Sequence, residues 1–491
     1  MSNRTSTNST SDVLVVGAGP TGLLLAGDLA AAGVTVTLLE RRGQESNLTR
    51  AFGVHARTLE ELDARGVAEE LIATGTALSS LRLFGRLHLD LSRLRSRFPF
   101  VLITPQYRTE EVLQRRAEAA GARILRGAEV VALRQDEDGV ELDVRDGDGA
   151  TATHRARYAV GADGVRSTVR RLLGLPFPGR SVVSSVMLAD VRLERAPDEV
   201  LGVGATGEGF GFVAPFGDGW YRVIAWDRRR QLPDDAPVDP EELRDVLRRT
   251  LGDDYGMHDP RWTSRFHSDE RQVPQYRVGR VLLAGDAAHC HSPAGGLGMN
   301  TGLQDAANLG WKLAAEIHGH APAGLLDTYH AERHPVGATV LRGSGALIRV
   351  ALARTPATRV LRSVLSRVTM LGPLTQGAAR LVSGIGIGYP APRGAHPLTG
   401  RRVPDLRLDG HTGGPERLYQ ALRGGAFVLV GGAPQTAAPW GGRVVAAAPA
   451  GGLTTTVLVR PDGYTAWAAD GPSPDEVEAA LGAWLGEPDT Y

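Results

Sequence analysis

The sequence predicts an α/β chain with a dinucleotide-type βαβ unit at its front, an antiparallel sheet in its middle and a smaller α/β unit at its end. Three observations carry this reading. A Gly-rich turn joins an apolar strand to a helix near the N-terminus, a second Gly-Asp motif follows about 270 residues later, and a β-branched and aromatic run lies between them. At the front, Asp12-Val13-Leu14-Val15-Val16 reads as a short strand running into Gly17-Ala18-Gly19-Pro20-Thr21-Gly22, then an Ala/Leu-rich helix to about Ala32, stopped by Gly33. The next apolar run, Val34 to Leu39, ends on Glu40, roughly 20 residues past the glycines, where a carboxylate can accept hydrogen bonds from a ribose 2′-OH. The first glycine permits the tight turn, the second lets backbone approach a pyrophosphate, the third packs helix on strand, and the helix N-terminus offers unpaired N–H groups to the anion.

Further along, the βα alternation gives way to strand-like patterning. Val182 to Val191 is β-branched, Gly209-Phe210-Gly211-Phe212-Val213-Ala214-Pro215-Phe216 is aromatic, and Trp220 to Trp226 follows the turn Gly217-Asp218-Gly219, which predicts a hairpin in an antiparallel sheet. Asp239 to Leu251 reads as an acid-capped surface helix. Val281-Leu282-Leu283-Ala284 is a short buried strand that delivers Gly285-Asp286-Ala287-Ala288-His289 and then Pro293-Ala294-Gly295-Gly296-Leu297-Gly298-Met299-Asn300. Two nucleotide-binding motifs so far apart imply one long cofactor. A helix is expected from Asn300 to about His318, further helices from Leu325 to Leu381, and strands near Phe427 to Val430 and Thr455 to Val459. The division this suggests is residues 1–175 and 276–400 for the nucleotide unit, 176–275 for a substrate-binding sheet, and 401–491 for the C-terminal unit.

At 491 residues the chain exceeds what one core usually supports. Fifty-five basic and 55 acidic residues balance to zero, giving no support for nucleic acid or an anionic membrane surface as partner. The first eleven residues lack an apolar h-region and no long apolar run occurs, so a cytoplasmic location without a membrane span is expected. Cys290 is the only cysteine, which excludes an intramolecular disulfide or a Cys-cluster metal site. No metal is expected. Lys312 is the only lysine.

These motifs resemble the class A flavin-dependent aromatic monooxygenases, the superfamily of p-hydroxybenzoate hydroxylase, and most of all the actinobacterial branch acting on polycyclic polyketides and antibiotics. The resemblance rests on the GxGxxG turn with Glu40, on Asp163-Gly164 within Gly161-Ala162-Asp163-Gly164-Val165-Arg166-Ser167, and on Gly285-Asp286 with its extension. Arg50-Ala51-Phe52-Gly53-Val54-His55, Pro105-Gln106 and Tyr329-His330-Ala331-Glu332-Arg333-His334-Pro335 stand at their expected places. It implies a Rossmann-type FAD-binding domain, an antiparallel-sheet substrate domain and a thioredoxin-like C-terminal domain, here without any CxxC.

It further implies non-covalent FAD, held by Gly17, Gly19, Pro20, Thr21, Gly22, Glu40, Arg41, Arg50, Gln106, Val130, Asp163, Asp286, Pro293, Gly296, Gly298, Met299 and Asn300. NADPH would bind transiently near Arg50 and Asp163. The start of the helix at Met299 and Asn300 would face the flavin N1–C2=O, where negative charge appears on reduction. The implied chemistry is transfer of one oxygen of O2 through a flavin C4a-hydroperoxide, so no side chain is expected to act as a covalent catalyst. His289 and His291 read as hydrogen-bonded histidines shaping the loop around a buried Cys290. Phe210, Phe212, Pro215, Trp220 and Trp226 are candidate pocket walls by alternation. Tyr221 and Arg222 lie on the same strand, but neither stands out as a base for a phenol.

Gly202, Gly204, Gly207, Gly209 and Gly211 leave room on the sheet, which points to a large, flat substrate rather than a one-ring acid that an arginine would clamp. Baeyer–Villiger insertion or inactivating oxidation of a large antibiotic such as a rifamycin remains open beside hydroxylation, as does a non-oxygenating flavoprotein. A flavin-dependent halogenase would need a Trp-x-Trp-x-Ile-Pro stretch and a catalytic lysine, and neither occurs. The protein is expected as a monomer or homodimer.

Overall fold

The computed structural model describes residues 10–44, 51–83, 87–292, 294–351, 372–409, 414–451 and 454–489. Five parallel strands form the centre of an eight-stranded sheet, in the order Val281–Leu283, Thr151–Gly161, Thr10–Val16, Val36–Glu40 and Arg123–Arg126. Thr10–Val16 and Val36–Glu40 are continuous runs of mostly apolar residues because both faces are covered, by the helix Pro20–Ala31 among others. Thr151–Gly161 was not singled out in the sequence, yet it joins the two motifs. Val16 pairs with Gly161, and Gly161 pairs with Leu283, so strands far apart in the chain end side by side. An antiparallel pair, Glu129–Gln135 and Val140–Arg145, extends Thr151–Gly161.

The six-stranded antiparallel sheet runs Gly202–Ala205, Gly209–Pro215, Tyr221–Asp227, Gly179–Arg192, His258–Gln272 and His289–Cys290. Its last strand is the continuation of the second motif, which therefore ties the two sheets together. The helix Pro240–Leu251 covers one face, with Asp239 accepting from the Glu241 N–H at 3.0 Å and Gly252 closing the C-terminus in the left-handed region. Under it lie Met187, Ala189, Val213, Val223 and Ala225. The other face carries Val186, Leu188, Phe212, Ile224 and Trp226, and Phe52 of the nucleotide-binding part packs against Phe212 with ring centroids 5.0 Å apart.

The helix expected from Asn300 begins three residues earlier, as Leu297–His318, because Gly296 serves as its N-cap. Helices Thr328–Ala351 and Gly372–Val382 fall in the expected helical stretch, and residues 352–371 within it lie outside the described residues. At the C-terminus, strands Val444–Ala447, Phe427–Val430, Thr455–Val459 and Thr465–Asp470 form a four-stranded sheet in that order, the first two parallel and the rest antiparallel. Ser473 and Glu476 cap its last helix, Pro474–Leu485, with a reciprocal box.

A dense set of charged side chains, most of them buried, joins this unit to the nucleotide-binding part. Arg460 pairs with Glu332 at 2.7 Å, Lys312 with Glu332 at 2.8 Å, and Arg402 with Glu60 at 2.7 Å. Arg57, fully buried, donates to the Tyr419 hydroxyl at 2.8 Å and pairs with Glu60 and Glu61. Asp63 receives Arg417 and Arg423, each at 3.0 Å. Among the described residues no helix is long and apolar enough to cross a membrane, and no group of His, Cys, Asp and Glu could hold a metal.

Candidate active site

The carboxyl ends of the parallel strands carry the glycine turn, Glu40, Asp163 and Asp286, which is where ligands bind in open α/β sheets. The three fingerprint glycines have separate reasons. A Cβ on Gly17, at φ +107°, would sit 2.5 Å from the Ala162 carbonyl oxygen, and one on Gly22 would clash with the Gly17 carbonyl oxygen. A Cβ on Gly19 would meet nothing within 4 Å. Protein backbone thus excludes side chains at Gly17 and Gly22, whereas Gly19 faces open space that a pyrophosphate can enter. Pro20 opens the helix Pro20–Ala31, where its missing N–H costs nothing. Thr21 wedges between the two motifs: its hydroxyl lies 2.7 Å from where a Gly285 Cβ would stand, and also against Gly302.

Glu40 is buried and accepts the Ala18 N–H at 2.7 Å and the Arg42 N–H at 2.9 Å. Burial alone would raise its pKa, but these two backbone bonds and the Arg42 guanidinium hold it below the usual range. Arg41, implied as a cofactor contact, is exposed beside it, and Glu40 pairs with Arg42 at 3.0 Å. Val130 is buried in the core beneath this corner, two residues past Ala128, whose N–H donates to the Glu40 carbonyl.

At the second motif Gly285 adopts φ +60° and its N–H donates to Asp305 at 3.1 Å, which leaves Asp286 exposed at the strand end. A Cβ on Gly298 would lie 3.8 Å from the Asp286 carboxylate. Gly295 and Gly296 both have positive φ, 83° and 64°, and reverse the chain into the helix Leu297–His318. Asn300 is buried and clamps this turn: its amide donates to the carbonyls of Gly53 at 2.9 Å and Gly296 at 2.8 Å, and its oxygen accepts the His55 N–H at 2.9 Å. Met299 beside it is half-buried against the main core. His55, at the Gly296 backbone, was visible only as part of a longer motif; burial pushes its pKa down to about 4, so the ring is neutral near pH 7. Arg50 and Pro293 lie outside the described residues.

Gln106 latches the segment before Phe52, accepting the Ala51 N–H at 3.2 Å and donating to Glu110 at 2.8 Å. The Asp163 carboxylate accepts from the Ser167 hydroxyl at 2.5 Å and from the N–H groups of Thr168 at 2.6 Å and Val169 at 3.1 Å, capping a short helix. Behind the second motif, His289 bonds Asp305 at 2.6 Å, and Arg333 donates to the other Asp305 oxygen at 2.7 Å. The His291 ring contacts His289 at 3.1 Å, and burial pushes its pKa down to about 3. Burial, reinforced by Asp286 and Asp269, pushes the Cys290 thiol up to about 12, which keeps it protonated and unreactive.

The sheet face towards Phe52 holds three of the five expected wall residues, Phe210, Phe212 and Trp226, cross-strand neighbours by the pairings Phe210–Trp226 and Phe212–Ile224. The other two correct the expectation. Pro215 pairs with Tyr221, which packs under the helix Pro240–Leu251, so alternation turns Pro215 to that opposite face. Trp220 lies outside the strand, held between Arg192 and Arg261 with guanidinium-to-ring distances of 4.6 and 4.4 Å. Arg222 is fully buried in a two-pronged pair with Asp190 at 2.8 and 2.9 Å, stacked 3.6 Å over Phe216, which excludes proton abstraction by a group that is always charged. The glycines also have a different reason from the one expected. Gly202, Gly204, Gly209 and Gly211 face the helix, where a Cβ on Gly204 would strike the Thr250 carbonyl and one on Gly209 would lie 3.4 Å from the Thr250 methyl; Gly207 is a turn residue at φ +78°. They let the helix lie close rather than widening the cleft.

The arrangement fits a flavin dinucleotide: an open glycine at one end, a ribose-accepting carboxylate beside it, and a left-handed glycine turn at the start of a long helix. Known proteins agree. Residues 10–344 match the family described as FAD binding domain, and residues 396–488 match that described as aromatic-ring hydroxylase, C-terminal. A rifampicin monooxygenase of Streptomyces venezuelae is 40% identical over 97% of this chain and 98% of its own length. A 12-dehydrotetracycline 5-monooxygenase/anhydrotetracycline 6-monooxygenase of Streptomyces rimosus is 42% identical over 97% and 99%. The solved structure of the anhydrotetracycline hydroxylase OxyS from Streptomyces rimosus superposes with a TM-score of 0.86 at 41% identity, covering 98% of this chain and all of that one. With both halves of its length matched in this way, the chain belongs to the FAD-dependent aromatic-ring hydroxylases, monooxygenases that take FAD as cofactor and NADPH as co-substrate.

Proposed function

We propose that this monooxygenase hydroxylates a polycyclic, polyketide-type aromatic compound. The observation that carries the reading is the apolar face of Phe210, Phe212 and Trp226, set against Phe52 beside the aligned ends of the two motif strands. The multi-ring substrates named for the Streptomyces relatives support it. Gly202, Gly204, Gly209 and Gly211 serve helix packing and do not bear on substrate size.

When bound, FAD supplies the oxygen-transfer chemistry, with electrons from NADPH and oxygen from O2. The protein's own part is to bind, orient and keep water out. Glu40 accepts from the ribose and Gly19 admits the pyrophosphate. Asp286 accepts from the ribityl side, and N–H groups at the start of Leu297–His318 favour negative charge beside them. Gln106 and Asn300 shape the flavin edge, and Asp163 serves both cofactor and NADPH through the loop it caps. Phe210, Phe212 and Trp226 contribute buried apolar area to a flat substrate.

We assign residues 1–175 and 276–400 to the FAD-binding domain, 176–275 to the substrate domain and 401–491 to a thioredoxin-like domain. Its parallel pair followed by an antiparallel hairpin and a helix supports that last reading. A cytoplasmic monomer or homodimer fits the balanced charge. The test is a screen of polycyclic phenols and quinones for substrate-accelerated NADPH consumption, with mass analysis for one added oxygen. Efficient hydroxylation of a one-ring benzoate with no response to polycyclic compounds would overturn the reading. A ring-expanded lactone or ester product would favour Baeyer–Villiger insertion instead.

A further inference from the structure

Away from the flavin-facing cleft, a cavity of about 290 Å³ opens at the seam between the helix Thr328–Ala351 and the C-terminal sheet. Its walls include Tyr389, Pro390, His396, Trp467 and Trp484, and its floor is Glu332 and Arg460. None of the residues assigned above to FAD or substrate lines it. Its position between two structural units and its walls, where aromatic rings stand beside a few polar groups, are the usual marks of a small-molecule site.

The floor decides the ligand chemistry. Every nitrogen of Arg460 donates to Glu332 or Asp462, and Lys312 donates to Glu332 at 2.8 Å, so two cations and two carboxylates cancel and the floor exposes no unpaired positive charge. A phosphate or carboxylate would find no free cation on the floor. The two Glu332 oxygens differ. Oε2 accepts from Asn308, Lys312 and Arg460, whereas among the described residues Oε1 accepts only from Arg460 at 2.7 Å, and a carboxylate oxygen has two lone pairs. The remaining lone pair suits a hydroxyl or amine hydrogen. Size narrows the class further, since a cavity of about 150 Å³ holds one benzene ring. This one is about twice that, enough for two fused rings and too small for the multi-ring substrate.

We propose that this cavity binds a second, smaller ligand: a flat one- or two-ring aromatic carrying a hydroxyl or amine, stacked on Trp467 and Trp484 and donating to Glu332 Oε1. The probe is 2-naphthol, titrated calorimetrically into the FAD-loaded enzyme, with naphthalene as the control that lacks the donor. One molecule of 2-naphthol is expected to bind at this site. Naphthalene should bind at least tenfold more weakly, as loss of a hydrogen bond to a charged group requires. Trp467→Ala removes a wall, and Ala395→Trp, at an exposed lining position, fills the mouth without touching the core. Each should weaken 2-naphthol binding tenfold or more, and Ala395→Trp should keep the wild-type FAD content and melting temperature. Absence of binding up to the solubility of 2-naphthol overturns the proposal. So does affinity unchanged in Ala395→Trp, because the ligand then sits in the flavin-facing cleft. Equal affinity for naphthalene overturns the assignment to Glu332.

Discussion

The glycine turns at the head of the parallel strands and the seam with the C-terminal unit are both buried joints, built by opposite means. At the turns, backbone meets backbone and side chains are excluded: Gly17 touches Ala162, Gly22 touches Gly17, and Gly19 alone is left open. At the seam, long charged side chains fill the space, with Arg57, Arg460 and Lys312 facing Glu60, Glu61, Glu332 and Asp462. The first joint reserves room for something that arrives later. The second is filled by side chains around the cavity at its rim, and pairs such as Arg460 with Glu332 and Arg402 with Glu60 join distant parts of the chain. Breaking a pair of this kind leaves a buried charge without compensation, which costs more than the pair itself contributes.

The largest effect is therefore expected at the seam. Glu332→Ala leaves Lys312 and Arg460 facing each other in the interior, and the loss should be about 3–5 kcal/mol in denaturant unfolding. A loss under about 1 kcal/mol would make the seam an ordinary surface contact. Next is Gly22→Ala, whose Cβ meets the Gly17 carbonyl; a drop of about 1–3 kcal/mol in stability is expected from overpacking. Asp286→Ala should leave the fold intact and weaken FAD retention by about 1.5–3 kcal/mol, the scale of a hydrogen bond to a charged group. Measured by equilibrium dialysis, unchanged retention would remove Asp286 from the cofactor site. The smallest effect on stability belongs to Gly19→Ala. With φ −78° and open space ahead it should melt like the wild type, while FAD binds more weakly because the methyl group stands where the pyrophosphate approaches. If Gly19→Ala lowers stability as much as Gly22→Ala, the contrast between the two glycines is wrong.

The seam also predicts a pH dependence. Burial would raise the Glu332 pKa, but Arg460 and Lys312 outweigh it and hold the carboxyl down to about 2, from 4.5. A folded-state pKa below the unfolded value means stability that is full above pH 4.5 and lost as the pH falls towards 2. Glu332→Gln should lack that part of the acid slope, which stability curves collected between pH 5 and 3 will reveal.

Features with a local signature were legible in the sequence. The fingerprint glycines, Glu40 and the Asp239-capped helix depend on spacing within one turn or one βαβ unit. What stayed hidden is made through space. Asn300 bonds Gly53 and His55 across 245 or more residues, Asp305 gathers Gly285, His289 and Arg333, and Arg42 rather than its neighbour Arg41 reaches Glu40. Phe210, Phe212 and Trp226 share one face, as alternation requires, but alternation could not say which face meets the helix Pro240–Leu251. The glycines were therefore credited to the wrong side. Trp220 misled because the strand starts one residue later, at Tyr221.

The seam has a consequence for how such chains can be recombined. Arg402, Arg417, Tyr419, Arg423 and Arg460 come from beyond residue 400, and their partners Glu60, Asp63, Arg57 and Glu332 come from before residue 340. A chimera that grafts the C-terminal unit of one relative onto the front of another inherits only half of each pair. Where the graft differs at these positions and its own front-half partners are not carried with it, the fusion starts with stranded charges, because a crossover near residue 400 cuts every one of these pairs.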